Sequence, residues 1–323
     1  MAKKAAKAKK VKKAAALDKA RYGIGEWYGR LMPSLTPAER KVYGAIGMTK
    51  SNVPCPFRQA AAPGSICNKL GGVCSLRLHR TDDSTVTLEG QLVTVCPSRF
   101  WHGNKIFEWI GKEMVGTDKP KLIKEVGFLE ALPGAPAAGA AIGPPAEEET
   151  EETGPPVGRI DSVLMNPSDP SKWCALEMQA VYFSGKKMGT HLTQYGDAPA
   201  VPVFPDRNRR PDWRSSGPKR LMPQLMTKIP SLRRWGKKMA VVIDAGFRRS
   251  LGPMTPVKHL SNADIAWFIV DYDLTTGDIL LEKTVYTTLE SSVEALTAGI
   301  PSSQEAFEKR LSDALAAGKA ISL

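Results

Sequence analysis

Short apolar segments of strand length recur through the chain, mostly in its second half, and they most constrain its fold. They are rich in Val, Ile and Leu, as buried strands are, and stretches of helical periodicity separate some of them. We expect strands at residues 125–132, 159–165, 174–183, 240–245, 265–271 and 278–285. Strands mixed with helices in this way predict an α/β or α+β core.

Helices are predicted on both sides of this region. Thr36 and Pro37 have the residue types preferred at an N-cap and at the first helical position, so a helix is expected over residues 37–45. Residues 100–114 and 303–317 read as helices, and residues 84–95 alternate as a long strand or a strand pair does.

Composition divides the chain into four parts. Residues 1–21 form a basic tail with seven lysines in its first 13 residues, and we expect it to be disordered. Residues 22–115 form a first domain, and residues 116–323 a second. Residues 133–158 interrupt the second domain with Pro, Gly, Ala and five glutamates, which predicts a flexible insertion.

The charge of the chain indicates the class of its partner. It carries 45 basic and 33 acidic residues, a net charge of +12, and a basic protein of this size usually binds a polyanion such as nucleic acid. The longest apolar runs, at residues 239–243 and 265–270, are too short to span a bilayer. With lysines but no apolar stretch at the N-terminus, we expect a cytoplasmic protein.

Two acidic residues are candidates for chemistry. In the strand expected at residues 174–183, Glu177 and Gln179 point to one face, and Asp161 lies on the preceding strand. Two carboxylates brought together favour a divalent cation between them, and Mg²⁺ held by carboxylates can activate a water for phosphodiester hydrolysis. The alternative is a half-exposed edge strand whose polar side chains face water.

Four of the five cysteines are candidate metal ligands. The odd number and the expected cytoplasmic location argue against a disulfide framework, which leaves buried thiols or a metal site. Cys55, Cys67, Cys74 and Cys96 lie close in sequence but lack tight C-x-x-C pairs. Cys174 precedes the acidic strand and is expected to be a buried packing thiol.

A basic stretch is the candidate DNA surface. Residues 207–238 contain eleven Lys or Arg and one acid, with two tryptophans among them, which suits phosphate contacts and arginine contacts to guanine. A solvated charged face is the alternative. The candidate DNA-binding residues are Arg207, Arg209, Arg210, Arg214, Lys219, Arg220, Arg233 and Arg234, and two further lysines, Lys186 and Lys187, follow the acidic strand.

The sequence resembles the PD-(D/E)xK nuclease superfamily and, more closely, the NotI family of restriction endonucleases. The resemblance covers roughly residues 22–310. It is carried by CPFR at residues 55–58 and the three later cysteines, GRID at 158–161, ALEMQAVYFSG at 175–185, RPDWRSS at 210–216, KRL at 219–221, PQL at 223–225 and KIP at 228–230.

The resemblance implies a mixed central sheet flanked by helices in a homodimer that cuts palindromic double-stranded DNA. It implies that Asp161 and Glu177 bind catalytic Mg²⁺, and that Gln179 takes the position that is lysine in most of the superfamily. A neutral amide lacks that charge but can still orient a water. An auxiliary acid is expected from an earlier element, with Glu130 the first candidate and Glu125 the second.

The resemblance also implies a structural iron bound by Cys55, Cys67, Cys74 and Cys96 in an N-terminal metal-binding subdomain. The residues themselves leave iron and zinc open. No small-molecule cofactor and no membrane partner are expected. Two alternatives to a restriction endonuclease stay open: a non-catalytic DNA-binding protein with a structural four-cysteine site, and a nuclease of repair or of phage DNA.

Overall fold

The computed structural model describes most of the chain. The described residues are 21–47, 53–82, 85–130, 156–183, 192, 193, 195, 210–297, 299, 302–319 and 321. The basic tail (but for residue 21), most of the 133–158 insertion, and four of the basic candidates lie outside them: Lys186, Lys187, Arg207 and Arg209.

The described elements alternate between strands and helices. The strands are β1 Arg21–Trp27, β2 Arg30–Leu31, β3 Val73–Asp82, β4 Thr85–Thr94, β5 Lys121–Glu130, β6 Pro156–Asn166, β7 Asp169–Met178, β8 Tyr182–Phe183, β9 Pro211–Asp212, β10 Met239–Asp244, β11 Ile265–Tyr272 and β12 Ile279–Thr287. The α-helices are α1 Pro37–Gly47, α2 Lys105–Ile110, α3 Trp213–Ser216, α4 Met222–Arg234, α5 Ala245–Ser250, α6 Leu289–Thr297 and α7 Gln304–Ala316.

The first sheet has four strands in the order β2-β1-β3-β4, all antiparallel. Helix α1 follows β2 and begins with a reciprocal cap, in which the Glu39 amide donates to Thr36 Oγ1 and the Thr36 amide donates to Glu39 Oε2. Such a capping box satisfies two amides that a helix N-terminus leaves without intrahelical partners. The helix predicted over residues 37–45 is therefore confirmed.

The second sheet has six strands in the order β12-β11-β10-β7-β6-β5. Strand β10 runs parallel to both β7 and β11, and the remaining pairs are antiparallel. The mixed sheet implied by the resemblance is thus confirmed. Strands β6 and β7 form a hairpin whose turn is Pro167 and Ser168, where the Ser168 amide donates to Asn166 Oδ1 at 2.9 Å.

Both faces of the second sheet are covered at its centre. Every residue of β10 is buried, and its side chains alternate between two apolar clusters. One cluster includes Leu225 and Ile229 of α4, and the other includes Ile106 and Ile110 of α2. A strand buried on both faces reads as a continuous apolar run, which is why the sequence predicts β10 well.

The two sheets share these cores. Ile24 and Leu76 of the first sheet belong to the cluster that contains Val241 of the second. The Thr94 amide at the end of β4 donates to Asp244 Oδ2 at the end of β10, at 2.6 Å. Because β10 runs parallel to β7, the carboxyl ends of these two strands lie side by side, and the end of the first sheet lies beside them. The division into domains at residue 115 stays a prediction.

Two predicted elements differ from the structure by more than the positions of their ends. Residues 100–114 form a 3-10 segment up to Asn104, the short helix α2 and a π-helical turn, because Gly103 and Asn104 adopt positive φ values and interrupt the helix. Strand β7 ends at Met178 rather than continuing to residue 183. Among the described helices, none is long and apolar enough to cross a bilayer.

Candidate active site

The strand register brings the two predicted carboxylates together. In the antiparallel β6–β7 hairpin Ser162 lies opposite Leu176, so Asp161 lies opposite Glu177 one step along. Residues directly opposite each other in an antiparallel pair project to the same face of the sheet. The arrangement predicted from sequence, two acids on adjacent strands and one face, is therefore present.

The two carboxylates differ in exposure. The side chain of Asp161 is 53% exposed, whereas that of Glu177 is 6% exposed. Burial raises the pKa of Glu177 to about 7, the neighbouring Lys228 lowers it, and the Asp161 carboxylate raises it again. A buried acid beside another acid is in an environment that favours a bound cation.

A lysine that the sequence pattern does not mark as a site residue joins these acids. Lys228 Nζ on α4 donates to Glu177 Oε2 at 3.0 Å and to Asp161 Oδ1 at 3.4 Å. It also donates at 2.8 Å to Gln224 Oε1, one turn earlier on the same helix. The sequence contains a signal for it, because Lys228 lies on the apolar face of α4 between Leu225 and Leu232, where a core residue is expected.

Gln179 lies next to the acids but does not replace that lysine. Its backbone amide continues the pairing with β10 by donating to the Val242 carbonyl at 3.0 Å. Its side-chain amide donates to the Ala180 carbonyl. Gln179 lines the same cleft as Asp161 and Glu177. The centre of positive charge in this site is therefore on a helix and not on the strand.

The two candidates for the auxiliary acid lie at different distances along β5. The register Lys124↔Ser162 and Val126↔Ile160 places Glu125 opposite Asp161. Glu130 is opposite Pro156 at the far end of the strand. The backbone of Glu125 has φ +55°, an uncommon conformation for a residue other than glycine. By position along the sheet, the second candidate is the nearer of the two to Asp161.

A cleft of about 620 Å³ opens over the carboxylates. Asp161, Glu177 and Gln179 line it, with Lys69 and Arg220 among the other lining residues. The guanidinium of Arg220 stacks on the ring of Tyr182, 3.4 Å from its centroid, and donates to its hydroxyl. Lys69 donates to the Val95 carbonyl at 2.9 Å. The cleft thus combines acidic side chains with basic side chains that suit a phosphodiester backbone.

The described basic candidates fall into two groups. Arg210, Arg214, Lys219, Arg220 and Arg234 are exposed. The Arg233 guanidinium is engaged, since it donates to both oxygens of Asp264 at 2.8 and 2.6 Å and pairs with Glu290. Its position is explained by structure without a role in DNA contact.

The four candidate metal-binding cysteines lie in one region. Backbone hydrogen bonds join the segments around Cys55 and Cys67, and the Cys96 amide donates to the Cys74 carbonyl. Burial raises the pKa of the Cys67 thiol, and the neighbouring Cys96 and Cys55 act in the same direction. All four are free thiols.

Across the described residues, no group of three or more His, Cys, Asp or Glu side chains is arranged to hold a metal ion. Cys174 is fully buried, and burial raises the pKa of its thiol to about 12, which fits the predicted packing role.

The fold and the site together indicate a class of protein. A mixed sheet flanked by helices, with paired carboxylates in a basic cleft and a buried ammonium beneath them, is suited to an enzyme that acts on a polyanion. A family model described as restriction endonuclease NotI matches residues 45–278, most of the chain. The chain therefore belongs to the NotI restriction endonuclease family, and it is a DNA endonuclease. Comparison with individual curated proteins gives no match.

Proposed function

We propose that this chain is a type II restriction endonuclease that hydrolyses both strands of double-stranded DNA at a palindromic site, as a homodimer, with Mg²⁺. One observation supports the chemistry above all others: Asp161 and Glu177 share a single ammonium at the floor of a cleft with a basic rim. Family membership supports DNA as the substrate.

The residues present fit a hard divalent cation. Two carboxylates from adjacent strands supply oxygen ligands, and Mg²⁺ is usually held by one or two carboxylates while waters and phosphate oxygens complete its shell. Burial raises the pKa of Glu177 to about 7, and the nearby Asp161 carboxylate acts in the same direction, so a cation beside the pair would stabilise the ionised form of Glu177. When bound there, the cation would polarise the phosphodiester and lower the pKa of a coordinated water.

The chain's own residues prepare that chemistry. Asp161 and Glu177 would hold the cation, and the Gln179 amide, which lines the same cleft, would orient a water by hydrogen bonding. Lys69 and Arg220 would hold the DNA backbone at the rim, since phosphate contacts mainly position a duplex. The role of auxiliary acid is proposed for Glu130 or Glu125, and position favours Glu125.

Cleavage of a long natural DNA tests the proposal. Plasmid or phage DNA incubated with the full chain should give discrete fragments with Mg²⁺ and stay intact with EDTA. Ends of those fragments should share one palindromic sequence. A smear would contradict sequence specificity, and intact DNA in Mg²⁺ would contradict the enzymatic proposal.

Substitution of the carboxylates tests the assignment of the site. Asp161→Asn and Glu177→Gln should each reduce cleavage by more than the roughly 100-fold that loss of an outer-shell metal partner costs. Both variants should still bind the duplex. Asp169→Asn, a change at the exposed start of β7, is the matched control and should cut as the wild type does. Wild-type cleavage by either site variant would refute the assignment.

We propose further that Cys55, Cys67, Cys74 and Cys96 bind one iron or zinc ion. Their shared region and the electrostatic effect of the thiols on one another support this. Elemental analysis of the purified chain should find about one metal per chain, and Cys67→Ser together with Cys96→Ser should lower it. Protein free of both metals that keeps full activity would contradict the proposal.

A further inference from the structure

Lys228 is buried in a place where a lysine is costly. Its side chain is 6% exposed, and it lies on the face of α4 that packs against the second sheet. A buried ammonium destabilises a fold unless it is paired and hydrogen-bonded. Here it has three acceptors on three elements: Asp161 on β6, Glu177 on β7 and Gln224 on α4.

The contacts of Lys228 use one oxygen of each carboxylate. Its ammonium meets Oδ1 of Asp161 and Oε2 of Glu177. Within the described part of the chain, Lys228 is the one basic side chain paired with either acid. An ammonium in this place holds two mutually repelling carboxylates side by side and leaves each a second oxygen for a cation.

The strand offers no substitute for this charge. Gln179 is neutral, and its side-chain amide donates to the backbone carbonyl of Ala180. Lys228 is not among the residues that line the cleft, whereas Asp161, Glu177 and Gln224 are. The lysine therefore acts through the carboxylates from beneath the cleft floor and not on the substrate directly.

We propose that Lys228 is a positioning residue of the active site, which supplies from helix α4 the positive charge that keeps Asp161 and Glu177 paired and oriented for a divalent cation. This inference rests on the proposed function. It goes beyond it by assigning the charge of the centre to an element outside the acidic hairpin.

Calcium binding to the DNA-free chain tests the inference without any cleavage step. Loss of an outer-shell partner typically weakens metal binding by roughly 10–100-fold, so Lys228→Met should lower Ca²⁺ affinity by that factor. Mg²⁺-dependent cleavage should fall by a similar or larger factor, while DNA affinity stays within about threefold. Lys258→Met, at an exposed lysine outside the site, is the matched control and should change neither.

Restoring the charge from the strand separates positioning from packing. Methionine resembles lysine in length and flexibility, so a purely packing role predicts unchanged Ca²⁺ affinity in Lys228→Met, and that result overturns the inference. Adding Gln179→Lys to Lys228→Met should recover Ca²⁺ affinity by about tenfold, because a charge returns beside the same acids. Reduced affinity that the second change does not recover also overturns it.

A milder variant keeps the test decisive if Lys228→Met does not fold. Gln224→Leu removes one of the three acceptors while the ion pairs stay, so it should weaken Ca²⁺ binding by a few-fold. Unchanged affinity in a folded Gln224→Leu chain would count against the inference. Failure of the wild type to cut DNA with Mg²⁺ would instead refute the proposed function, since the Ca²⁺ measurement needs no DNA.

Discussion

Asp264 shows how a single buried carboxylate joins three elements. It lies just before β11 and accepts two hydrogen bonds from Arg233 at the end of α4 and one, at 2.9 Å, from the Leu289 amide at the start of α6. Burial alone would raise the pKa of Asp264, but these hydrogen bonds hold it below its ordinary value. The folded chain therefore stabilises the ionised form of Asp264 more than the unfolded chain does.

Asp264→Asn should lower the free energy of unfolding at pH 7 by about 1–2 kcal/mol, since it removes charge-assisted hydrogen bonds whose partner Arg233 is partly exposed and screened. A depressed carboxylate pKa stabilises the fold above the unfolded value, and that contribution is lost as pH falls through the folded value. The difference between variant and wild type should therefore shrink below about pH 4.

Urea denaturation at several pH values measures this difference. Asp313→Asn is the control, because Asp313 is exposed on α7 and pairs with Lys309 only at 4.0 Å. It should change stability by less than about 0.5 kcal/mol at any pH. An Asp264→Asn effect that is constant from pH 7 to pH 3 would contradict the role assigned to ionisation.

Single residues also show the limits of sequence reading. Asp161 and Glu177 can be predicted from the sequence because strand periodicity determines the face of the sheet to which each carboxylate points. A family motif also surrounds each acid. Lys228 was hidden among ten other basic residues of the stretch 207–238. Its role depends on how α4 docks on β6 and β7, and that docking is a tertiary contact which local patterns do not encode.

At the scale of elements, Asp244 ends β10 and begins α5. Its carboxylate caps α5 by accepting from the Phe247 amide at 2.6 Å, and its other oxygen accepts from the Thr94 amide of β4. Burial raises the pKa of Asp244 to about 6, and the two amides act in the opposite direction. One side chain thus serves as a helix cap and as a link between the two sheets.

Asp244→Ala should therefore cost more than loss of an ordinary cap. Loss of a cap costs about 1 kcal/mol, and a buried amide left without an acceptor costs about 1–3 kcal/mol more. We expect a loss of about 2–4 kcal/mol in the free energy of unfolding. Ser303→Ala removes the cap of α7, a helix without buried residues, and should change global stability by under about 0.5 kcal/mol. Equal effects of the two variants would contradict this account.

The sequence predicts an element most accurately where the burial of its residues follows a simple pattern. Strands β10 and β11 are buried along nearly their whole length and read as apolar runs. The sequence does not predict strands β1 and β3, because Gly23 and Gly25 weaken the apolar pattern of β1, and Arg77 and His79 weaken that of β3. Those glycines are needed where the strand passes close to the ring of His79 and the side chain of Leu92.

At the scale of the whole molecule, basic residues are unevenly distributed along the chain. The net charge of +12 includes seven lysines in the first 13 residues, while the described basic stretch adds exposed side chains, of which Arg220 lines the cleft. Binding through phosphate contacts releases counterions, so affinity for DNA falls steeply with salt. The number of contacts can therefore be read from the slope of affinity against salt.

Arg214→Gln and Lys219→Gln should each reduce the slope of log affinity against log salt by about 1, the effect of losing one phosphate contact. Fluorescence anisotropy of a labelled duplex in Ca²⁺ measures it. Lys309→Gln, on exposed α7, carries the same charge change and should leave the slope unaltered. Equal slopes for all three variants would contradict a DNA surface at residues 210–234.

The short turn between β6 and β7 has a consequence for how this enzyme can vary. Pro167 and Ser168 lie at the far end of the hairpin from the acids, yet they determine which residue of β7 stands across from Asp161. One inserted or deleted amino acid there would slide one strand past the other and turn Glu177 to the opposite side. A one-residue change in the length of this turn should therefore abolish cleavage, even though no side chain of the site is altered.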